Sequence, residues 1–166
     1  VYQLIISSST VFNKPLKIFR KAVELCRGNA YNNNMEKEVQ NRITADIAAF
    51  RLPRYAQIPE VGLYLEQVVR YINARLAPLG EPELTGSMVS NYVKQKLVPA
   101  PQKKLYTAEH LARLLFIAVV KPVVPLEGLR LMFSIQEECY PLQTAYDYFC
   151  DEFENCLLYT SPSPRD

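Results

Sequence analysis

Side chains that can donate or accept hydrogen bonds share one face of a short amphipathic segment, SMVSNYVKQKL, at residues 87–97. At about 100° per residue, these polar side chains lie opposite Met88, Val89, Tyr92, Val93 and Leu97. The polar face holds no acid, and its members are Ser87, Ser90, Asn91, Lys94 and Gln95. Asn and Gln can pair with adenine edges, Lys can reach guanine acceptors, and Ser can pair with either base. The face therefore has the chemistry of base recognition, although a solvated helix face is the commoner origin of such a pattern.

A basic turn follows the two prolines, Pro99 and Pro101, that end this segment. The turn contains Lys103 and Lys104, and Tyr106 follows closely. Lysines in such a turn can anchor DNA phosphates, which positions a protein on the duplex without specifying its sequence. The alternative is an exposed turn whose lysines only contribute solubility. The residues around Val98 and Leu105 also predict a short two-stranded wing.

The net charge of +2 conceals a separation of charge along the chain. Residues 85–121 contain six Lys and Arg against one acid, whereas residues 122–156 contain one Arg against seven acids. A basic middle with an acidic end suits contact between one face of the protein and a polyanion. The alternative is that the two segments face each other in the fold.

Helices must position these side chains, because apolar residues recur at helical spacing along most of the chain. We predict helices over 35–50, 61–76, 87–96, 107–120, 124–133 and 134–155. Residues 111–120 are apolar nearly all round, so this helix is predicted to be central and buried. Thr107 can cap it, and His110 stands where a Glu or Gln would complete a capping box. His110 is therefore assigned to the helix end rather than to catalysis, and Arg113 to a structural ion pair.

The domain is predicted to cover residues 35–155. Residues 1–34 precede the first methionine and are interpreted as a doubtful N-terminal extension from upstream translation, although Pro15 could open a real helix there. Residues 156–166, CLLYTSPSPRD, resemble an in-frame translation of a sequencing adapter. They are predicted to be an artefactual, disordered tail.

The sequence contains no pattern typical of an enzyme, a metal-binding protein or a membrane protein. There is no Gly-rich nucleotide loop, no metalloprotease motif and no nucleophile elbow, and the chain has one histidine. No apolar run approaches the roughly 18 residues that span a bilayer. We therefore predict a cytoplasmic protein that is not an enzyme and has no cofactor. The acids of residues 137–154 are interpreted as a solvated face rather than a cation site.

Three blocks of the sequence resemble a known family in order and spacing. They are LPRYAQIPEVGLYLEQVVRYI, LTGSMVSNYVKQKLVPAP and KKLYTAEHLARLLFIAVVK. They resemble the bacterial domain of unknown function 1836 family, which is assigned to the MerR-like winged helix-turn-helix superfamily, over residues 43–133. The resemblance implies a mainly α fold with a short two-stranded wing and flanking helices. It also implies that the 87–96 helix enters the major groove and that the 98–106 wing, with Lys103, Lys104 and Tyr106, lies on the backbone.

The sequence departs from the MerR pattern at three points. Lys96 stands where a Gly is usual, and Lys104 replaces the usual wing arginine, which keeps the charge but loses the bidentate fork. Pro141 leaves no room for the long dimerisation coiled coil.

Double-stranded DNA is therefore the expected partner, and transcriptional regulation is the expected function. A homodimer through the aromatic residues of the terminal helix (Tyr146, Tyr148, Phe149 and Phe153) is a further hypothesis, and no small-molecule effector is identifiable. The alternative function is a non-catalytic protein-interaction module on the same scaffold, which would dock through the acidic terminal helix.

Overall fold

The computed structural model describes residues 49–80 and 83–160. Within them, five α-helices follow one another: α1 (Leu65–Leu76), α2 (Gly86–Lys94), α3 (Ala108–Val120), α4 (Leu126–Cys139) and α5 (Leu142–Thr160). Short 3-10 helices cover Tyr55–Gln57 and Ala77–Leu79. The prediction of a mainly α fold is confirmed. The predicted helix over 35–50 lies almost entirely outside the described residues, as does the extension 1–34.

The helix α3 forms the centre of the core. Leu111, Leu114, Leu115 and Ile117 are completely buried, and the helix packs against α1 on one side and α5 on another. An apolar surface nearly all round α3 explains why neighbours cover it on several sides. The predicted buried central helix at 111–120 is thus confirmed.

The acidic helix α5 holds residues 51–55, which lead into the first 3-10 helix and which we call the strap. The Asp147 Oδ1 accepts a 2.7 Å hydrogen bond from the Tyr55 amide, and the Glu154 Oε1 accepts a 2.9 Å hydrogen bond from the Leu52 amide. Arg54 forms ion pairs with Glu154 at 2.7 Å and with Asp151 at 2.8 Å. The interpretation of these acids as a solvated face is wrong for Glu154, which is buried. Asp147 is half-buried and Asp151 is exposed, although both also bind the strap.

The boundary between α4 and α5 differs from the prediction. The segment predicted as a short helix continues to Cys139, and a new helix begins at Leu142. Pro141 explains the break, because proline pushes the preceding residue, here Tyr140, into the extended conformation in which it is found.

The helix α5 continues beyond the boundary predicted at residue 156 and ends at Thr160. Leu157 packs against the core and extends the inner stripe of Tyr146, Cys150 and Phe153 at helical spacing. Residues 156–160 are therefore helical where a disordered tail is predicted, because this stripe continues through Leu157. The remaining residues of that segment lie outside the described part.

The predicted wing is not a pair of strands. Residues 49–80 and 83–160 contain no strand, and isolated bridges join Gln102 to Leu105 and Leu63 to Tyr106. Val98 does not pair with Leu105, because Pro99 and Pro101 lack the N–H groups that a ladder needs. The bridge at Leu63 also explains why α1 begins at Leu65 rather than at residue 61.

Candidate nucleic-acid interface

The helix α2 is fixed at its N-terminus by two polar contacts. The Thr85 Oγ1 accepts a hydrogen bond from the Met88 amide at 3.3 Å, and Thr85 is thus the N-cap of α2. Immediately before the cap, the side-chain amide of Asn73 on α1 donates to the Leu84 carbonyl and accepts from the Leu84 amide, both at 2.9 Å. These contacts orient α2 against α1.

The five residues of the predicted polar face, four in α2 and Gln95 at its C-cap, differ in exposure. Ser87, Asn91 and Lys94 are exposed, while Ser90 and Gln95 are half-buried. The Ser90 hydroxyl donates to the Gly86 carbonyl at 2.9 Å, so only its oxygen lone pairs are available to a ligand. The opposite face contributes Val89 and Tyr92 to the core.

Gln95 contacts a basic residue that sequence reasoning did not place at this site. The Arg130 Nη2 of α4 donates a hydrogen bond to the Gln95 Oε1. Arg130 is the one basic residue of the acidic segment, and nothing in its local sequence indicates that α4 passes beside the end of α2. This neighbour adds positive charge to the polar face.

Lys96 adopts a left-handed conformation directly after α2, with φ of 58°. The Lys96 amide donates to the Val93 carbonyl and the Leu97 amide donates to the Tyr92 carbonyl, both at 3.0 Å. This pair of hydrogen bonds is the Schellman motif, in which Gly usually occupies the left-handed position. Lys96 therefore completes the helix cap at a position where Gly is usual, and its side chain is exposed.

Lys103 and Lys104 also have left-handed backbones, with φ of 49° and 66°. The Leu105 amide donates to the Gln102 carbonyl at 2.8 Å and closes a tight turn around the two lysines. Positive φ at both central residues is the pattern of a type I′ turn, for which Asn-Gly is the favoured sequence. We call residues 102–105 the basic turn, and both of its lysines are exposed.

Tyr106 anchors the basic turn and is not part of the exposed surface. Its side chain is 5% exposed, and its backbone exchanges hydrogen bonds with Leu63 at 2.8 and 2.9 Å. Burial raises the pKa of Tyr106 above its ordinary value of 10.0. The ring also packs edge-on against His110, with centroids 5.5 Å apart. Tyr106 is thus buried, whereas Lys103 and Lys104, which the sequence assigns to the same wing, are exposed.

His110 closes the capping box of α3. The Thr107 amide donates to the His110 Nδ1 at 3.0 Å, as expected for a residue at the helix end. Burial lowers the pKa of His110 below 6.5, and the nearby Arg113 lowers it further, although Glu109 and the carbonyls of Ala100 and Pro99 act in the opposite direction. The neutral ring therefore holds Thr107 at the start of α3.

Where acids form ion pairs in the described residues, their partners are arginines and not lysines. Within residues 49–80 and 83–160, every ion pair has arginine as its cation. Arg113 binds Glu137 at 2.8 Å, which confirms its structural role. In this part of the chain, the acidic segment therefore does not neutralise Lys94, Lys96, Lys103 or Lys104.

The arrangement offers hydrogen-bonding and cationic groups rather than metal ligands. Among the described residues, no group of three or more His, Cys, Asp or Glu gathers as a metal site would. None of the helices described combines the length and apolarity of a membrane span.

Comparison with known proteins connects this surface to one family. A family model described as "Domain of unknown function (DUF1836)" matches residues 53–149, which is more than half of the chain. The match includes α2, the basic turn and Arg130. Comparison with curated proteins and with solved structures returns no match. The family resemblance of the sequence blocks is confirmed, and the chain belongs to the DUF1836 family.

Proposed function

We propose that this protein binds double-stranded DNA sequence-specifically as a bacterial transcriptional regulator with a MerR-like winged helix-turn-helix arrangement. In this proposal α2 enters the major groove. The basic turn, in place of a two-stranded wing, contacts the phosphate backbone. The family match gives the domain but no activity, so the support comes from the surface chemistry of α2 and the turn.

The observation that carries the proposal is the backbone conformation of three lysines. Lys96, Lys103 and Lys104 are the only non-glycine residues with positive φ in the described part of the chain. A left-handed conformation costs a residue with a Cβ roughly 1–2 kcal/mol, and such strain concentrates at functional sites. None of the three has an acidic partner within these residues, so the fold holds three exposed cations at strained positions.

Base recognition would come from the exposed residues of α2. The Asn91 side chain could pair with an adenine edge and Lys94 with guanine acceptors, while Ser87 lies at the helix N-terminus. The Ser90 hydroxyl donates within the helix, so Ser90 could only accept a hydrogen bond from a base. Tyr106 would act through its packing beneath the basic turn rather than by contacting DNA.

The connection between α1 and α2 covers residues 77–85, which is longer than the roughly three to four residues of an ordinary helix-turn-helix. Asn73 compensates for this length because it bonds both backbone groups of Leu84, just before α2 begins. The relation between the two helices is thus fixed by a side chain instead of a short turn.

A homodimer remains part of the proposal, because specific DNA sites usually require two modules. The α5 aromatic residues contribute less to such an interface than their sequence suggests. Tyr146 and Phe153 are buried within the chain and Phe149 is half-buried, while Tyr148 is exposed. Sedimentation of the protein with duplex DNA should give two copies per duplex, and monomer alone at tens of micromolar would count against this part of the proposal.

Salt-dependent duplex binding tests the proposal. We expect wild type to bind a random-sequence duplex at low salt, with affinity that falls as salt rises. Each phosphate contact contributes about 0.9 to the slope of log affinity against log salt. For the triple variant Lys94→Ala/Lys103→Ala/Lys104→Ala, the magnitude of this slope should therefore be smaller by roughly 2–3.

A lysine outside the proposed interface provides the matched control. Lys121 belongs to the same basic segment but lies over the Tyr92 ring after α3, so Lys121→Ala should bind more tightly than Lys94→Ala. Absence of binding by wild type at low salt would overturn the proposal. A triple variant that binds as wild type does would overturn it equally.

A further inference from the structure

Arg130 lies beside the polar face of α2 although it belongs to a different helix. Its Nη2 donates to the Gln95 Oε1, and its side chain is 44% exposed. The acid paired with it, Glu127, is 3.8 Å away and has a side chain that is 83% exposed. An ion pair of this length and exposure contributes little, so Arg130 retains most of its ability to bind an anion.

The chemistry of arginine fixes the orientation of the Gln95 amide. A guanidinium group has five N–H donors and no acceptor, so the oxygen of the amide, not its nitrogen, must face Arg130. The Gln95 Nε2 and its two N–H groups consequently point away from Arg130. The contact therefore determines which hydrogen-bonding group of Gln95 is presented.

This orientation changes what Gln95 can recognise. A glutamine that pairs bidentately with adenine uses its oxygen to accept from N6 and its nitrogen to donate to N7. An oxygen already engaged by Arg130 disfavours that pairing, whereas the two N–H groups can reach the N7 and O6 acceptors of guanine.

We propose that Arg130 is a positioning residue of the DNA interface: it presents Gln95 as a donor to guanine and adds one cation that binds a backbone phosphate. This inference rests on the proposed function. It extends the interface from α2 and the basic turn to α4, and it assigns a base preference to one position.

Selection from a randomised duplex library, followed by salt titration, tests the inference. The position that Gln95 recognises is the one where Gln95→Ala loses base preference, and wild type should select guanine there. Arg130→Ala should shift the selection towards adenine by several-fold and reduce the salt slope by about 0.9. Arg130→Lys should retain both the slope and the guanine preference, because it keeps the charge and likewise offers only donors to the Gln95 oxygen.

Glu127→Gln is the control for disturbance of the first turn of α4, and it should select the same base as wild type. Selection of adenine by wild type at the Gln95 position would overturn the inference. So would an unchanged base preference and salt slope in Arg130→Ala, or an equal shift in Glu127→Gln. These outcomes require wild type that binds DNA, whereas its failure to bind would refute the proposed function itself.

Discussion

Three lysines in this protein occupy backbone conformations that usually belong to Gly or Asn. At Lys96 the left-handed residue completes the cap of α2, and at Lys103 and Lys104 two such residues form a tight turn. Each site would be more stable with a residue that tolerates positive φ. Stability alone therefore does not account for the lysines, which is why we connect them with the binding of an anion.

We predict that Lys96→Gly is more stable than Lys96→Ala by about 0.5–1 kcal/mol. Gly avoids the left-handed repulsion of a Cβ, and part of this gain is lost to the greater freedom of Gly in the unfolded chain. Urea denaturation measures the difference. Both variants lose the same cation, so under the proposed function they should weaken DNA binding equally. Equal stability of the two variants would contradict the left-handed assignment at residue 96.

The N-terminus of helix α3 depends on an uncharged histidine. The His110 Nδ1 accepts a hydrogen bond from the Thr107 amide, and a protonated ring has no acceptor to offer. Because burial lowers the pKa of His110 below 6.5 in the folded state, the unfolded chain binds a proton more readily. The stabilising contribution of the neutral ring is thus complete above about pH 6.5 and is lost as the pH falls.

Replacement of His110 by Gln should reduce the pH dependence of stability between about pH 7 and pH 5. Gln can accept the same amide hydrogen bond in a capping box and does not titrate. The measurement is the free energy of unfolding of wild type and His110→Gln across this range, so that titrations shared by both proteins cancel. An identical pH dependence in the two proteins would contradict the role given to His110.

The sequence predicts helices better than it predicts the site that they form. Apolar stripes indicate α1, α2 and α3, and Thr107 marks the start of α3, because these signals are local. The wing prediction fails because the hydrogen-bond partner of Tyr106 is Leu63, far away in the chain. The contact between Gln95 and Arg130 depends on α4 lying beside the end of α2, and helical periodicity carries no information about that placement.

In the whole molecule, the strap and α5 join the two ends of the described part of the chain. The Glu154 side chain is buried and receives hydrogen bonds from both the Leu52 amide and Arg54. A carboxylate in this position requires its cation, because an uncompensated buried charge is strongly destabilising. The acidic helix therefore has a structural partner within the chain, which argues against that part of its surface as a docking site.

We predict that Arg54→Ala destabilises the fold by roughly 2 kcal/mol. The loss should be smaller than for a fully buried pair, because 33% of the Arg54 side chain is exposed and Arg51 remains 3.6 Å from Glu154. The double variant Arg54→Ala/Glu154→Gln should recover part of this loss, since Gln keeps an oxygen for the Leu52 amide without an uncompensated charge. Chemical denaturation of both proteins measures the effect. A double variant no more stable than Arg54→Ala would contradict this account of the strap.

Protein synthesis delivers Arg54 and Glu154 to the folding chain at very different times. They are 100 residues apart, so a ribosome that adds about 5–20 residues per second makes Glu154 on the order of 5–20 s after Arg54. Late in that interval, once residue 120 has been added, the nascent chain carries α1, α2 and α3 but lacks α5, which packs against α3. Chaperones and proteases therefore have their best access to this part of the chain just before α5 is complete.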